Sequence, residues 1–289
     1  MIETLNEKLN WHLSGIERTD AEAVTARLNG YKKLGVAYSG GVDSALLLAI
    51  AVHALDAENV VAVTADSGLL PRSELELARR TAEQIGARMV EFKTNELANP
   101  NFVVNDADRC YVCKNAMFTL VDDELVAKLD LDAVAYGENS DDTLAPDRPG
   151  ARAAAEHKVL RPLADAGLTK ERVRGLARAI GLSVADKPSA PCLATRIPHG
   201  TPITEEKLRQ IEAAEEAVYA AGFSDCRVRR HEEIARVEVP LDEFHLLADE
   251  KIRAGLVEGV KKAGFRYVTL DLSGMQRGAF TMQILREKK

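Results

Sequence analysis

The sequence predicts an α/β protein, a doubly wound parallel sheet followed by a second, smaller α/β domain. From Leu34 onward, short apolar runs alternate with amphipathic stretches of helical period, the pattern of βαβ units. A glycine turn, "SGGVDS" at residues 39–44, joins the first apolar run to the helix that follows it. The alternation ends at a proline-rich stretch, residues 188–198, beyond which the elements come in a different order.

Residues 1–30 read as helical, with Leu5, Leu9, Leu13 and Ile16 spaced along a first stretch and Val24 and Leu28 along a second. They are expected to pack on the core as an N-terminal extension. "LGVAYS" is the first strand and "DSALLLAIAVHAL" its helix; "NVVAVTAD", "RSELELARRTAEQIGA" and "RMVEFKT" continue as strand, helix and strand. Later, "FTLVDDELVAKL" is a helix and "DAVAYGE" a strand. "TKERVRGLARAIGL" is a helix with Thr169 as its N-cap and Gly181 as its stop. Such alternation gives a parallel sheet covered on both faces, with ligands beyond the carboxyl ends of its strands. After the prolines, "TEEKLRQIEAAEEAVYAAGF" is a helix and "CRVRRHEEIARVEV" a strand pair. "LDEFHLLADEKIRAGLVEGVKKAG" is a helix and "YVTLDL" a strand. The expected division is therefore 1–190 and 191–289.

The chain has 289 residues, 46% of them hydrophobic and 29% charged, with no run long enough to span a bilayer. Its start, "MIETLNEKLN", is polar and acidic, unlike a secretory signal, so a cytoplasmic location is expected. The net charge of −7 argues against nucleic acid as the main partner. Four cysteines are too few for a disulfide scaffold, and the six histidines show no metal-binding spacing. Ligation or catalysis by cysteine is the better expectation.

In "AYSGGVDSALLLA", residues 37–49, Ser39, Gly40 and Gly41 make a tight turn at the start of a helix. Unobstructed backbone N–H groups and the helix N-terminus there suit an anion. No lysine follows, so the turn is not a Walker loop. Asp43 and Ser44 fall in the first helical turn, where a carboxylate is favoured and can also bind Mg²⁺. This segment resembles the signature of the PP-loop ATP pyrophosphatases, which cleave ATP between its α and β phosphates. The resemblance implies an adenine nucleotide alpha hydrolase-like domain using ATP and Mg²⁺. ATP would lie against Ala37, Ser39, Gly40, Gly41, Asp43 and Ser44, with Thr64 and Asp66 near adenosine and Gly137 beyond a later strand.

"DRCYVCK" places Cys110 and Cys113 at CxxC spacing ahead of a helix, a pattern open to redox chemistry, zinc, iron–sulfur ligation or chance. In "KPSAPCLATRIPHG", Cys192 sits where Pro188, Pro191 and Pro198 prevent a helix. With "GENSDDTLAPDRPGARAAAE" and "KERVRGLARAIGL", these stretches resemble the LarE-type sulfur transferases from about Leu34 to the C-terminus. That family replaces carboxylate oxygen with sulfur on a pyridinium mononucleotide in making the nickel-pincer cofactor. The resemblance makes Cys192 the sulfur-bearing thiol. In one version of the chemistry Cys192 gives up its own sulfur and becomes dehydroalanine. In the other, Cys110, Cys113 and Cys192 hold a 4Fe–4S cluster that carries an extra sulfide, and the CxxC pair favours this version. Cys226 is expected to be a half-buried strand residue.

Arg227 and Arg229 alternate on one strand face, which is either solvated or a phosphate clamp. The resemblance favours the clamp, with Glu215 and Glu238 beside it; Arg196, four residues past Cys192, is a candidate to bind AMP or the substrate phosphate. Asp141 and Asp142 are read as Mg²⁺ contacts or helix caps. The resemblance implies a small-molecule acceptor, a homo-oligomer and cofactor-pathway proteins as partners. Other readings are tRNA thiolation, an ammonia-using synthetase and a nucleotide sensor. The first lacks a zinc ribbon or basic appendage here, the second has no use for Cys192, and the third none for Asp43.

Overall fold

The computed structural model describes residues 9–143 and 149–276. The chain divides into two compact units. The first is made of Met1–Ser67, Arg72–Thr94 and Cys110–Ala190, the second of Gly68–Pro71, Asn95–Arg109 and Pro191–Lys289.

In the first unit, β1 (Leu34–Ala37), β2 (Val60–Asp66), β3 (Arg88–Lys93) and β4 (Ala133–Tyr136) form a parallel sheet in the order β3-β2-β1-β4. Strand order therefore reverses between β1 and β4, the place where an open α/β sheet leaves a crevice at its carboxyl edge. Ala37 pairs with both Val63 and Tyr136, so Tyr38, Thr64 and Gly137 come level at that edge. Helices α1 (Gly15–Leu28), α2 (Val42–Leu55) and α3 (Arg72–Ile85) bury Val24, Leu28, Leu46, Ile50, Ala78 and Ala82 in one core cluster. A second cluster lies around Val61, Val63, Val134 and Tyr136, with Phe118 from α4 (Arg109–Leu120), Val121 just beyond its end, and Ala153 and Ala154 from α5 (Pro149–Glu156). The sheet is thus covered on both faces. α2 is apolar almost all round because it is the central helix: Leu46, Leu47, Leu48 and Ile50 are fully buried.

Sequence expectation and structure differ locally. Leu5 lies outside the described residues. Residues 9–14 are not helical; α1 starts only at Gly15, and Ile16 is exposed. Leu9, Trp11 and Leu13 reach the core as an irregular strap, with Trp11 stacked on His53 at 4.0 Å. The CxxC lies inside α4 rather than ahead of it, since "RCYVCKNAM" contains no residue that opposes a helix. The helix then runs into a π-turn at Val121–Val126. At α6 (Lys170–Ala179), Thr169 caps as expected, its Oγ1 accepting from Arg172 N, and Gly181 follows in the left-handed conformation.

The second unit packs α7 (Glu205–Ala220) and α8 (Glu250–Lys262) with a three-stranded sheet of β5 (Arg227–His231), β6 (Ile234–Glu238) and β7 (Tyr267–Leu270), in the order β5-β6-β7. The two helices cross closely, because a Cβ on Gly259 would meet Ala217 Cβ at 2.6 Å. The helix expected from Leu241 is instead a 3₁₀ stretch, Leu241–Ala248, followed by α8. Asp249 separates them by capping α8, its Oδ1 accepting from Lys251 N and Ile252 N at 2.8 and 3.2 Å.

Candidate active site

In the first unit the glycine turn is held from below. Thr64 Oγ1 donates to Tyr38 O at 2.8 Å, fixing the end of β1 to β2. Ser44 Oγ donates to Gly41 O (3.1 Å) and accepts from Ser39 N (3.2 Å), which closes the turn on itself. Gly40 has φ 73°, and a Cβ there would lie 2.7 Å from Ala78 Cβ. A Cβ on Gly137 would lie 2.6 Å from Ser44 N and 2.7 Å from Asp43 C, so only glycine lets the end of β4 abut the first turn of α2. Gly41 differs: the nearest atom to its Cβ position is Ser39 Oγ at 3.4 Å. Its missing side chain therefore faces no packed neighbour, whereas Gly40 and Gly137 serve internal packing.

Asp43 is gripped from two sides. Asn139 Nδ2 donates to its Oδ1 at 2.9 Å, and Lys170 forms an ion pair with its Oδ2. The second N–H of Asn139 goes to Asp142 Oδ2 at 2.8 Å, while Asp141 Oδ2 accepts from Lys170 N at 2.8 Å. Asp141 thus caps α6, and Asp142 braces the asparagine. Sequence reasoning missed Asn139 and Lys170. The signal present was Thr169, the cap that sets the first residue of α6 beside it. Asp66, at the end of β2, is held below the usual carboxylate range by the hydrogen bond from Arg72, 2.5 Å away, against a smaller opposing effect of burial.

In the second unit Cys192 precedes a 3₁₀ turn, Leu193–Arg196, and is half-buried. The turn is tied on every side. Leu193 N donates to Leu69 O at 2.9 Å, and Thr195 Oγ1 donates to Cys192 O at 2.8 Å. Arg196, 2% exposed, donates to Pro191 O at 2.7 Å and makes a two-pronged pair with Glu215 at 2.8 and 3.0 Å. Burial opposes its charge, but the Glu215 carboxylate outweighs this and raises the guanidinium pKa. Glu215 also accepts from Val228 N at 2.9 Å, linking the turn to β5. Arg229 pairs with Glu238 at 2.5 and 3.0 Å and donates to Thr195 O at 3.2 Å. Arg227 donates to Asp225 at 2.6 Å. Both strand arginines are buried, so their face is not a solvated one.

Of the other cysteines, Cys110 is exposed and Cys113 half-buried, both on α4 in the first unit. Cys226 is fully buried rather than half-buried, just before β5. Its Sγ lies 3.6 Å from Glu215 O, and burial pushes the thiol pKa well up, the mark of an inert structural cysteine.

The asparagine synthase family matches residues 16–232. An uncharacterized protein of Synechocystis is 40% identical over 243 residues, 84% of this chain and 90% of that one. The pyridinium-3,5-bisthiocarboxylic acid mononucleotide synthase of Lactiplantibacillus plantarum is 33% identical over 263 residues, 90% of this chain and 93% of the synthase. The chain belongs to the LarE-type, ATP-dependent sulfur transferases of the PP-loop superfamily. Similarity to the glutamine-dependent NAD(+) synthetase of Xylella fastidiosa, 44% over 63 residues, spans only 22% of this LarE-type chain. Among the described residues, no helix is long and apolar enough to cross a membrane.

Proposed function

We propose that the enzyme adenylylates a carboxylate of a pyridinium mononucleotide and replaces its oxygen with sulfur carried by Cys192. The observation that carries this reading is the thiol's setting. It stands on a proline-stiffened turn whose neighbours, Thr195 and Arg196, fix the backbone on either side of it. The acceptor carboxylate attacks the α-phosphorus of ATP, the bond from that phosphorus to the bridging oxygen breaks, and pyrophosphate leaves. The Cys192 thiolate then attacks the acyl carbon and expels AMP, leaving a thioester. Removal of the Cys192 Cα proton breaks its Cβ–S bond, so a thiocarboxylate departs and dehydroalanine remains.

Backbone N–H groups of Gly40 and Gly41 receive the phosphates, and Lys170 adds a positive charge beside Asp43. One carboxylate with phosphate oxygens and water is an ordinary Mg²⁺ set, and Asp43 supplies the carboxylate. The ion would neutralise charge on the departing pyrophosphate. Arg196, Arg227 and Arg229 are the proposed seat of the acceptor's phosphate, with Glu215 and Glu238 holding two of them ready. The other source of sulfur is a 4Fe–4S cluster held by Cys110, Cys113 and Cys192, and the experiment below separates the two.

The test is Cys192→Ala with ATP and pyridinium-3,5-biscarboxylic acid mononucleotide. Pyrophosphate release should continue and sulfur transfer should stop. Intact mass of the reacted wild-type enzyme should show loss of the elements of H₂S, localised to residue 192. Transfer surviving in Cys192→Ala defeats the reading. Repeated turnover that requires bound iron, without that mass loss, returns the sulfur to a cluster.

A further inference from the structure

The turn that carries Cys192 is held largely by residues remote from it in sequence. Asn105 is fully buried and sits at φ 60°, a conformation unfavourable for any side chain but tolerated best by asparagine and aspartate. Its Nδ2 donates to Pro198 O at 2.8 Å and Thr201 O at 3.0 Å, while its own backbone oxygen accepts from Gly200 N at 3.0 Å. His199 Nδ1 lies 3.1 Å from the same oxygen. Because a carbonyl can only accept, that nitrogen carries the proton. Arg109, also buried, donates to Asn105 Oδ1 and to Ala194 O, the latter at 3.1 Å. Every polar atom of the Asn105 side chain is thus committed, and the fork of Arg109 joins that clamp to the turn two residues past the thiol.

These contacts are costly to build and unnecessary for a loop that only closes a surface. A buried amide and a buried guanidinium must be fully satisfied, and both spend their bonds on the carbonyls of residues 194–201. We propose that Asn105 and Arg109 are positioning residues for the reaction: they fix the backbone of residues 194–201 and so aim the Cys192 sulfur at the acyl carbon. The inference rests on the reading that Cys192 carries the sulfur.

The variants Asn105→Gly and Arg109→Lys of the full chain separate positioning from stability. Glycine accepts the left-handed backbone but has no amide; lysine keeps the charge but cannot reach both acceptors in the arginine's planar geometry. With the same mononucleotide and ATP, both should release pyrophosphate at the wild-type KM for ATP, whose loop belongs to the other unit. Their single-turnover sulfur transfer should slow by roughly a hundredfold for Asn105→Gly and by less for Arg109→Lys. Iodoacetamide should alkylate Cys192 faster in both, read by peptide mass. Transfer at the wild-type rate in either folded variant overturns the proposal, and so does a parallel fall in pyrophosphate release, which would mark a general stabilising role. If Asn105→Gly does not fold, Arg109→Lys decides by the same criteria. Cys192→Ala run alongside keeps the two readings apart, since transfer persisting there condemns the thiol assignment and not the clamp alone.

Discussion

Gly41 and Gly137 look alike in sequence, yet they answer to different constraints. Alanine at 137 places a methyl within 3 Å of the α2 backbone, an overpacking of about 1–3 kcal/mol. For a chain of this size that lowers Tm by roughly 2–4 °C per kcal/mol. Alanine at 41 meets only Ser39 Oγ at 3.4 Å, so the fold should hold while the phosphate side closes. Gly137→Ala is therefore expected to lose thermal stability and pyrophosphate release together, and Gly41→Ala to lose release at unchanged Tm. Equal Tm losses in both would contradict the division. At this scale the sequence was readable where the structure is local: residues 39–44 carry their own turn and carboxylate. Asn139 and Lys170 were not, because both lie far along the chain from Asp43, and the Thr169 cap marks a helix start without showing what it faces.

The strand pair β5–β6 shows the same limit one level up. Alternation put Arg227 and Arg229 on one face and Val228 on the other, and the register Arg227↔Glu238, Arg229↔Arg236 follows from the short turn between the strands. Periodicity alone cannot say whether a polar face meets water. Here it is covered, and Glu238, with no exposed surface, serves both Arg229 at 2.5 Å and Arg236 at 3.4 Å. Removing one partner of such a pair strands a buried charge, which costs about 3–5 kcal/mol. Arg229→Ala should accordingly destabilise the second unit before it changes any affinity. In chemical denaturation, Arg229→Ala with Glu238→Ala should lose much less than the two single losses added. Additive losses would mean that the pair is not energetically coupled. An acceptor KM measured on Arg229→Ala alone is thus ambiguous, and Arg229→Lys, which keeps the charge, is the fairer probe of phosphate binding.

For the whole molecule, the sequence shows a change of helical and strand rhythm at the prolines. The threading of Gly68–Pro71 and Asn95–Arg109 into the second unit was not legible, because each lies inside a stretch whose neighbours belong to the first. That threading puts Arg109 beside His199, and it bears on acid stability. Burial, with Arg109 nearby, holds the His199 pKa below its ordinary value; burial, with Arg236 and Arg229, does the same for His231. Each ring therefore takes up its proton at a lower pH in the fold than in the unfolded chain, which does so near pH 6.5. The unfolded state binds more protons between each depressed pKa and about 6.5, so stability rises with pH across that window and is lost as pH falls through it. Asp66, held below its usual range by Arg72, and Asp132, held there by the backbone N–H groups of Lys33 and Lys32, add a separate step at lower pH. Their contribution is present above about pH 4 and disappears as pH falls through their lowered values. Denaturation midpoints followed from neutral pH downward should fall first in the histidine window, within the second unit, and again in the carboxylate range. The variant His199→Asn/His231→Asn should flatten the first fall and leave the second. A first fall of undiminished size in that variant would show that some other group takes up the protons.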